Sequence, residues 1–307
     1  MKWDALTLFV EAARGGSFSA AARVAHVSPS HVSRRVAELE DDVGTRLFQR
    51  STRRMVLTDA GRIYYQRVAQ LLEELERASD FAHDTENAAR GLLRVATPSS
   101  FAHEHVVPWL VELHALYPAL RIELVLHSQM SDLIEERIDV AIRLGHMQPS
   151  SLIAVKLCEM PRVIVASPSY LEKAGWPQSP ADLNTHTCLA FPFEGFKHIW
   201  SLRDATGQEI SVELSPQIIA AEGMILRALA LQGQGVSLLP RWMIASQLRE
   251  GSLVNIFPRY DATATIHGAA VWLVYPSREH LPLKVRVFLD YVKARFHNGP
   301  PWEWTLR

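Results

Sequence analysis

The stretch 28-SPSHVSRRVAELE-40 decides how the N-terminal part of this chain folds. Ser28 is an N-cap residue, and Pro29 follows at the first helical position, where its missing N–H costs nothing. Val32, Val36, Leu39 and Val43 recur at i, i+4, i+7 and i+11, which draws one buried stripe along a helix. Ser30, His31, Ser33, Arg34 and Arg35 therefore point away from that stripe. The first two turns of this helix are short, polar and cationic.

The flanks complete a pattern around it. Upstream, Leu6, Phe9, Val10 and Ala13 predict a helix from about Trp3 to Arg14, ended by Gly15-Gly16. A second helix, capped by Ser17 or Ser19, carries Ala21, Ala22 and Val24, and a short turn at His26-Val27 leads into the third. Three short helices with a tight turn before the last are the helix-turn-helix pattern. Downstream, Arg46–Gln49 and Met55–Thr58 read as two strands of a hairpin, or wing, whose basic tip offers Arg50, Thr52, Arg53 and Arg54. Thr58 then caps a helix expected from Asp59 to about Asn87, roughly 40 Å long at about 1.5 Å per residue. Tyr64, Val68, Leu71, Leu75, Ala78 and Ala82 step along it as a heptad seam, which predicts a partner helix.

Composition sets the outer limits. The chain has 307 residues, 48% hydrophobic and 21% charged, with a net charge of -1. That is ordinary globular material for two or three domains. Charge is unevenly spread: residues 1–62 hold ten Lys+Arg against seven Asp+Glu, a net of +3, leaving -4 for the rest. A basic head on an acidic body points to nucleic-acid contact at the N-terminal end. MKWDALTLFVEAARGG does not read as a secretory leader, and no run approaches the length of a membrane span. Cys158 and Cys188 form no disulfide framework and are expected to be inert thiols of a cytoplasmic protein.

From Gly91 onward the texture changes. LLRVAT, IELVL, DVAIRL and VIVAS are apolar strands that alternate with helical stretches at 101–116, 131–137 and 222–232. This alternation predicts an α/β fold with largely parallel sheets, and the length suits two lobes. The expected division is residues 1–58, a winged helix-turn-helix; 59–90, a linker and dimerisation helix; and 91–307, a two-lobed regulatory domain.

A helix whose first turns enter the DNA major groove needs small residues for close approach and arginines for phosphates or guanine edges. Ser28, Pro29, Ser30, His31, Ser33, Arg34 and Arg35 fit that need, and the wing follows at the right distance. The segment GSFSAAARVAHVSPSHVSRRVAELEDDVGTRLFQRSTRRMVLTDAG closely resembles the winged helix-turn-helix of LysR-type transcriptional regulators. DLIEERIDVAIRLG, VASPSYLEKAG, SPADLNTHTCLAF and GQGVSLLPRW extend the resemblance into the C-terminal half. Many members of that family carry glutamine where this chain has Pro29, and glutamine or a similar residue where it has Arg35. The resemblance thus implies loss of an adenine reader and a guanine or phosphate contact from Arg35.

The resemblance implies an N-terminal all-α winged helix-turn-helix, a long linker helix and a C-terminal two-lobed α/β effector domain similar to periplasmic binding proteins. It further implies a homodimer or homotetramer on a dyad-symmetric double-stranded DNA operator, RNA polymerase as partner of an activator, and no cofactor, metal or membrane. A small organic effector, anionic or aromatic, is expected between the lobes. The implied contacts are Ser99, Ser100 and Phe101 at a helix N-terminus, Ser128 and Gln129, Arg143, and the walls Phe193, Trp200 and His267. A solute-capture protein is disfavoured by the absent leader. An enzyme is disfavoured because no nucleophile elbow, His-Glu-x-x-His or phosphate loop is present. His103 and His105 lie two apart and are expected to face solvent.

Overall fold

The computed structural model describes residues 3–49, 55–83, 89–126, 133–147, 149–193, 196, 198–276 and 281–304, leaving aside the side chains of 73, 74 and 76–83. The chain divides into two compact units, Met1–Asn87 and Ala88–Arg307. Among the described residues no helix is long and apolar enough to cross a membrane.

The first unit contains α1 (Trp3–Gly15), α2 (Phe18–Ala25), α3 (Pro29–Val43), β1 (Phe48–Gln49), β2 (Val56–Leu57) and α4 (Asp59–His83). Capping sets its punctuation. The Ser17 hydroxyl accepts from the Ala20 N–H at 3.1 Å and the Ser28 hydroxyl from the His31 N–H at 3.2 Å, each satisfying an orphan donor of a first turn. His26 and Gly44, both left-handed, end α2 and α3. The stripe Val32, Val36 and Leu39 is buried, as are Phe9, Leu47, Val68 and Leu72. The wing strands pair antiparallel with Phe48 opposite Leu57. They are pinned to α3 by Glu40, whose Oε1 accepts from the N–H groups of Leu47 at 2.7 Å and Phe48 at 3.0 Å.

The second unit has two lobes. The first begins with β3 (Gly91–Thr97), α5 (Ser99–Phe101), a π-helical turn over Ala102–Val106 and α6 (Val107–Leu116). It continues with β4 (Leu120–Leu126), β5 (Val140–Gly145) and β6 (Leu152–Glu159). The chain then crosses over. The second lobe opens with β7 (Arg162–Ala166), α7 (Pro168–Ala174), β8 (Cys188–Ala190), β9 (Ile199–Arg203), β10 (Glu209–Glu213) and β11 (Ile218–Ile219). It closes with α8 (Gly223–Leu231), β12 (Val236–Pro240), α9 (Arg241–Glu250), β13 (Val254–Asn255) and β14 (Asp261–Thr263). A second crossover returns the chain to β15 (Ala270–Pro276), α10 (Leu283–Phe296) and α11 (Pro301–Trp304). The first lobe's sheet runs β4-β3-β5-β15-β6; the second runs β10-β9-β14-β7-β12-β8-β11, with β13 against β7.

These sheets are mixed rather than largely parallel. β3 lies parallel to β4 and β5, whereas β15 runs antiparallel to both β5 and β6 because it enters after the chain has visited the other lobe. The helix expected at 131–137 is also absent over its described part. Residues 133–137 form a turn closed by the Ile138 N–H donating to the Leu133 carbonyl at 2.8 Å, with Arg137 at φ 58°.

His105 departs from its expected solvent exposure; His103 is the exposed one. The His105 ring packs against Phe101 at 4.8 Å, Trp302 at 4.9 Å and Trp242 of the second lobe at 5.5 Å, with Nε2 buried and unpartnered. Burial, partly opposed by Glu104, lowers its pKa from 6.5 to about 4. Between those values the unfolded chain binds a proton that the folded chain refuses. Stability is therefore full above pH 6.5 and falls as pH drops toward 4, by an amount on the order of 3 kcal/mol. His105→Phe is expected to flatten this slope. Urea melts of both proteins at neutral and acidic pH check it, and identical pH dependence in the two would refute it.

Candidate functional site

The first turns of α3 present their polar face as the sequence predicts. Ser28, Pro29, Ser30, Ser33 and Arg34 are exposed, and His31 is half-buried. The Arg34 side chain is 68% exposed and only loosely engaged, its Nε lying 3.9 Å from Glu38.

Arg35 is different, because its guanidinium is engaged within the protein. Its guanidinium bridges Asp4 at 2.7 Å and Glu38 at 2.8 Å, and its side chain is 18% exposed. Asp4 lies in the first turn of α1, so Arg35 ties α1 to α3 and is already occupied. Sequence spacing placed it off the apolar stripe but could not show that another helix supplies a carboxylate there. The wing-tip residues Arg50, Thr52, Arg53 and Arg54 lie outside the described residues.

The seam of α4 is divided. Tyr64 packs on Phe9 at 5.6 Å, and Val68 is buried in the winged unit's own core beside Ala69 and Leu72. Those two positions face their own domain, which corrects the continuous seam. Leu71 and Leu75 are 62% and 46% exposed. Ala78 and Ala82 continue on α4, but their side chains lie outside the described residues.

The residues expected around an effector scatter. The Ser99 hydroxyl donates to Glu222 of the second lobe at 2.8 Å. The anion expected at this helix N-terminus is thus matched by the protein's own carboxylate. Ser100 is half-buried beside it. Phe101 is fully buried within the aromatic cluster of Trp109, Trp242 and Trp302, and Trp200 is fully buried in the second lobe's core with its Nε1–H on the Phe196 carbonyl at 3.4 Å. Both are packing residues rather than cleft walls, because no surface of either ring remains for a ligand. Arg143 is half-buried on β5 across from Trp272 of β15. Ser128 and Gln129 lie outside the described residues.

Among the described residues, Phe193 and His267 are linked only through Phe196 and Arg162. Phe193 stacks on Phe191 at 5.8 Å and meets Phe196 edge-on at 6.4 Å. The Arg162 guanidinium stands over the Phe196 ring at 4.8 Å, and Arg162 and His267 line one cavity of about 330 Å³. Sequence reading missed Arg162, Phe196 and Glu222. The available signal was a lone arginine opening the apolar strand VIVA.

Both lobes also meet through Arg227, which pairs with Glu104 at 2.9 Å, and through His146, whose Nε2 lies 2.8 Å from the Ile266 carbonyl oxygen. Burial pushes the Cys158 and Cys188 thiols up to about 12, which leaves both protonated and unreactive at neutral pH.

Comparison with known proteins agrees with this layout. Residues 3–62 match the family model "Bacterial regulatory helix-turn-helix protein, lysR family", and residues 86–297 match "LysR substrate binding domain". The chain is 33% identical over 296 residues to the HTH-type transcriptional regulator CrgA of Neisseria meningitidis serogroup C, covering 96% of this chain and 97% of that one. It is 32% identical over 291 residues to the HTH-type transcriptional activator TtdR of Escherichia coli K12, covering 94% and 92%. The full-length structure of the Vibrio cholerae virulence activator AphB superposes with a TM-score of 0.63 at 30% identity, covering 96% and 99%. With both of its units matched, this chain belongs to the LysR family of DNA-binding transcriptional regulators, which carry an effector-binding domain and are not enzymes.

Proposed function

We propose that this protein is an effector-responsive regulator that binds a dyad-symmetric operator as a homodimer or as a pair of dimers. The observation that carries the reading is α3 itself: one face buried in the unit's core, the other presenting Ser30, Ser33 and Arg34 outward from a capped N-terminus. In this reading residues 1–58 read DNA, 59–90 pair two chains, and 91–307 sense a small organic molecule between the lobes. Wing contacts from Arg50, Thr52, Arg53 and Arg54 extend the DNA footprint. Ligand binding shifts lobe closure, and thereby the spacing of the DNA-binding pairs, by no more than its differential affinity for the two states. An activator of this kind contacts RNA polymerase from the bound operator, in the cytoplasm.

Footprinting on the DNA flanking the protein's own gene, with and without a panel of metabolites, tests the reading. Protection of two half-sites about one helical turn or a multiple apart is expected. Absence of any protected sequence at moderate salt rejects it.

The two arginines of α3 separate by readout. Arg34→Ala is expected to weaken specific operator binding by about 1–3 kcal/mol and to relax preference at one base position. Arg35→Ala is expected to lower the melting temperature of the winged unit, through loss of the bridge to Asp4, while leaving base preference intact. Operator selection with both variants decides. A changed base preference in Arg35→Ala alone would reverse the assignment.

A further inference from the structure

The two crossovers between the lobes run past one cavity of about 330 Å³, lined by Glu159–Arg162 from the first crossing and Ile266–Ala269 from the second. Its volume is at the small end of ligand pockets. Most charges there are matched within the protein. Arg203 pairs with Asp261 at 2.8 Å, His267 lies between Asp261 at 2.7 Å and Glu209 at 3.3 Å, and Glu159 pairs with Lys156.

Arg162 is the exception. It opens β7, whose next four residues are all buried, and no ion pair or hydrogen bond from its guanidinium occurs among the described residues. Burial alone lowers its pKa to about 10, so it still carries its charge at neutral pH. Arg162 is half-buried, and a cation partly withdrawn from water with no counter-charge among the described residues is unusual, since such charges are ordinarily paired. The Phe196 ring, 4.8 Å from the guanidinium carbon, covers one face. A ring contact takes up none of the carboxylate-matching pairs of N–H donors in the guanidinium fork.

We infer that Arg162 is the carboxylate-reading residue of a hinge site, which takes a small organic carboxylate with its charged end on Arg162 and its body toward Ile266. This rests on the effector reading of the C-terminal unit and names the ligand class for it. The position has a mechanical consequence. A ligand held here touches both crossovers, the segments whose bending sets the angle between the lobes, so its binding energy acts directly on lobe closure.

Calorimetric titration of the full-length protein with acetate, succinate, citrate and benzoate, and with succinamide and benzamide as uncharged counterparts, tests the site. At least one carboxylate should bind, and the amide counterpart should bind a hundredfold more weakly or not at all. Arg162→Gln should weaken the carboxylate at least thirtyfold, and Arg162→Lys should recover part of the loss. The ligand-free Arg162→Gln protein should melt close to wild type, because removal of a cation with no counter-charge among the described residues offsets loss of the Phe196 contact; a purely structural arginine would leave a less stable protein. Failure of all four carboxylates to bind, equal binding of acid and amide, unchanged affinity in Arg162→Gln, or a lowered ligand-free melting temperature each overturns the inference. Carboxylate binding lost in Arg162→Gln, without any change in the operator footprint of wild type, leaves the site standing and rejects its regulatory role.

Discussion

Replacing Leu71 and Leu75 together with glutamate is expected to leave a folded monomer that no longer holds operator DNA. Both leucines sit on α4 away from the winged unit's core and are 62% and 46% exposed, so neither supports its own domain. Exposed leucines one turn apart on a long helix form an apolar strip that a partner helix can cover, and we propose them as the pairing surface. Covering four half-exposed leucines across a pair is worth roughly 3–6 kcal/mol, about half of the 1.5–3 kcal/mol that full burial of each side chain gives. Losing that burial weakens association by about 10²–10⁴-fold, before the cost of desolvating the new carboxylates is added. A single winged unit reads one half-site, so operator affinity should fall with the mass. Light scattering, far-UV circular dichroism and operator titration are the three readouts. Retained assembly and retained operator affinity in the double variant would place the pairing surface elsewhere.

Gly61→Val is expected to have the largest effect on the winged unit's stability. Gly61 lies in the first turn of α4, where its N–H donates to the Thr58 hydroxyl at 2.9 Å, and that hydroxyl donates to the Arg46 carbonyl at 2.7 Å. The Leu47 backbone crosses directly over this turn. A Cβ on Gly61 would fall inside the van der Waals shell of the Leu47 carbonyl oxygen and 2.8 Å from its carbon. The obstacle is backbone, so no side-chain rotation relieves it, and the base of the wing must separate from α4. A cost of roughly 3–5 kcal/mol follows. For a unit of this size that is a drop of more than about 12 °C in melting temperature. Hydrogen exchange should rise across 3–83 and stay unchanged in the second unit. Uniform protection in both units, with an unaltered melt, would mean that the crossing can relax.

Local chemistry was enough for the first unit. Ser28, Pro29 and the stripe Val32, Val36 and Leu39 are short-range signals, because caps act within one turn and helical periodicity is a property of consecutive residues. The same holds for the outward face of Ser30, Ser33 and Arg34 and for the strand-helix alternation after Gly91. What only the tertiary structure decided depends on residues far apart in the chain. Arg35 is tied to a neighbouring helix because α1 brings Asp4 to it. Tyr64 and Val68 turned inward because the winged unit's core takes that face of α4, leaving Leu71 and Leu75 outside. Phe101 and Trp200 became core because aromatic residues carry the same signature in a core and in a pocket wall until their neighbours are known. Arg162 and His267, about a hundred residues apart, meet only because the chain crosses twice between the lobes, and no spacing rule reports a neighbour that a crossover creates.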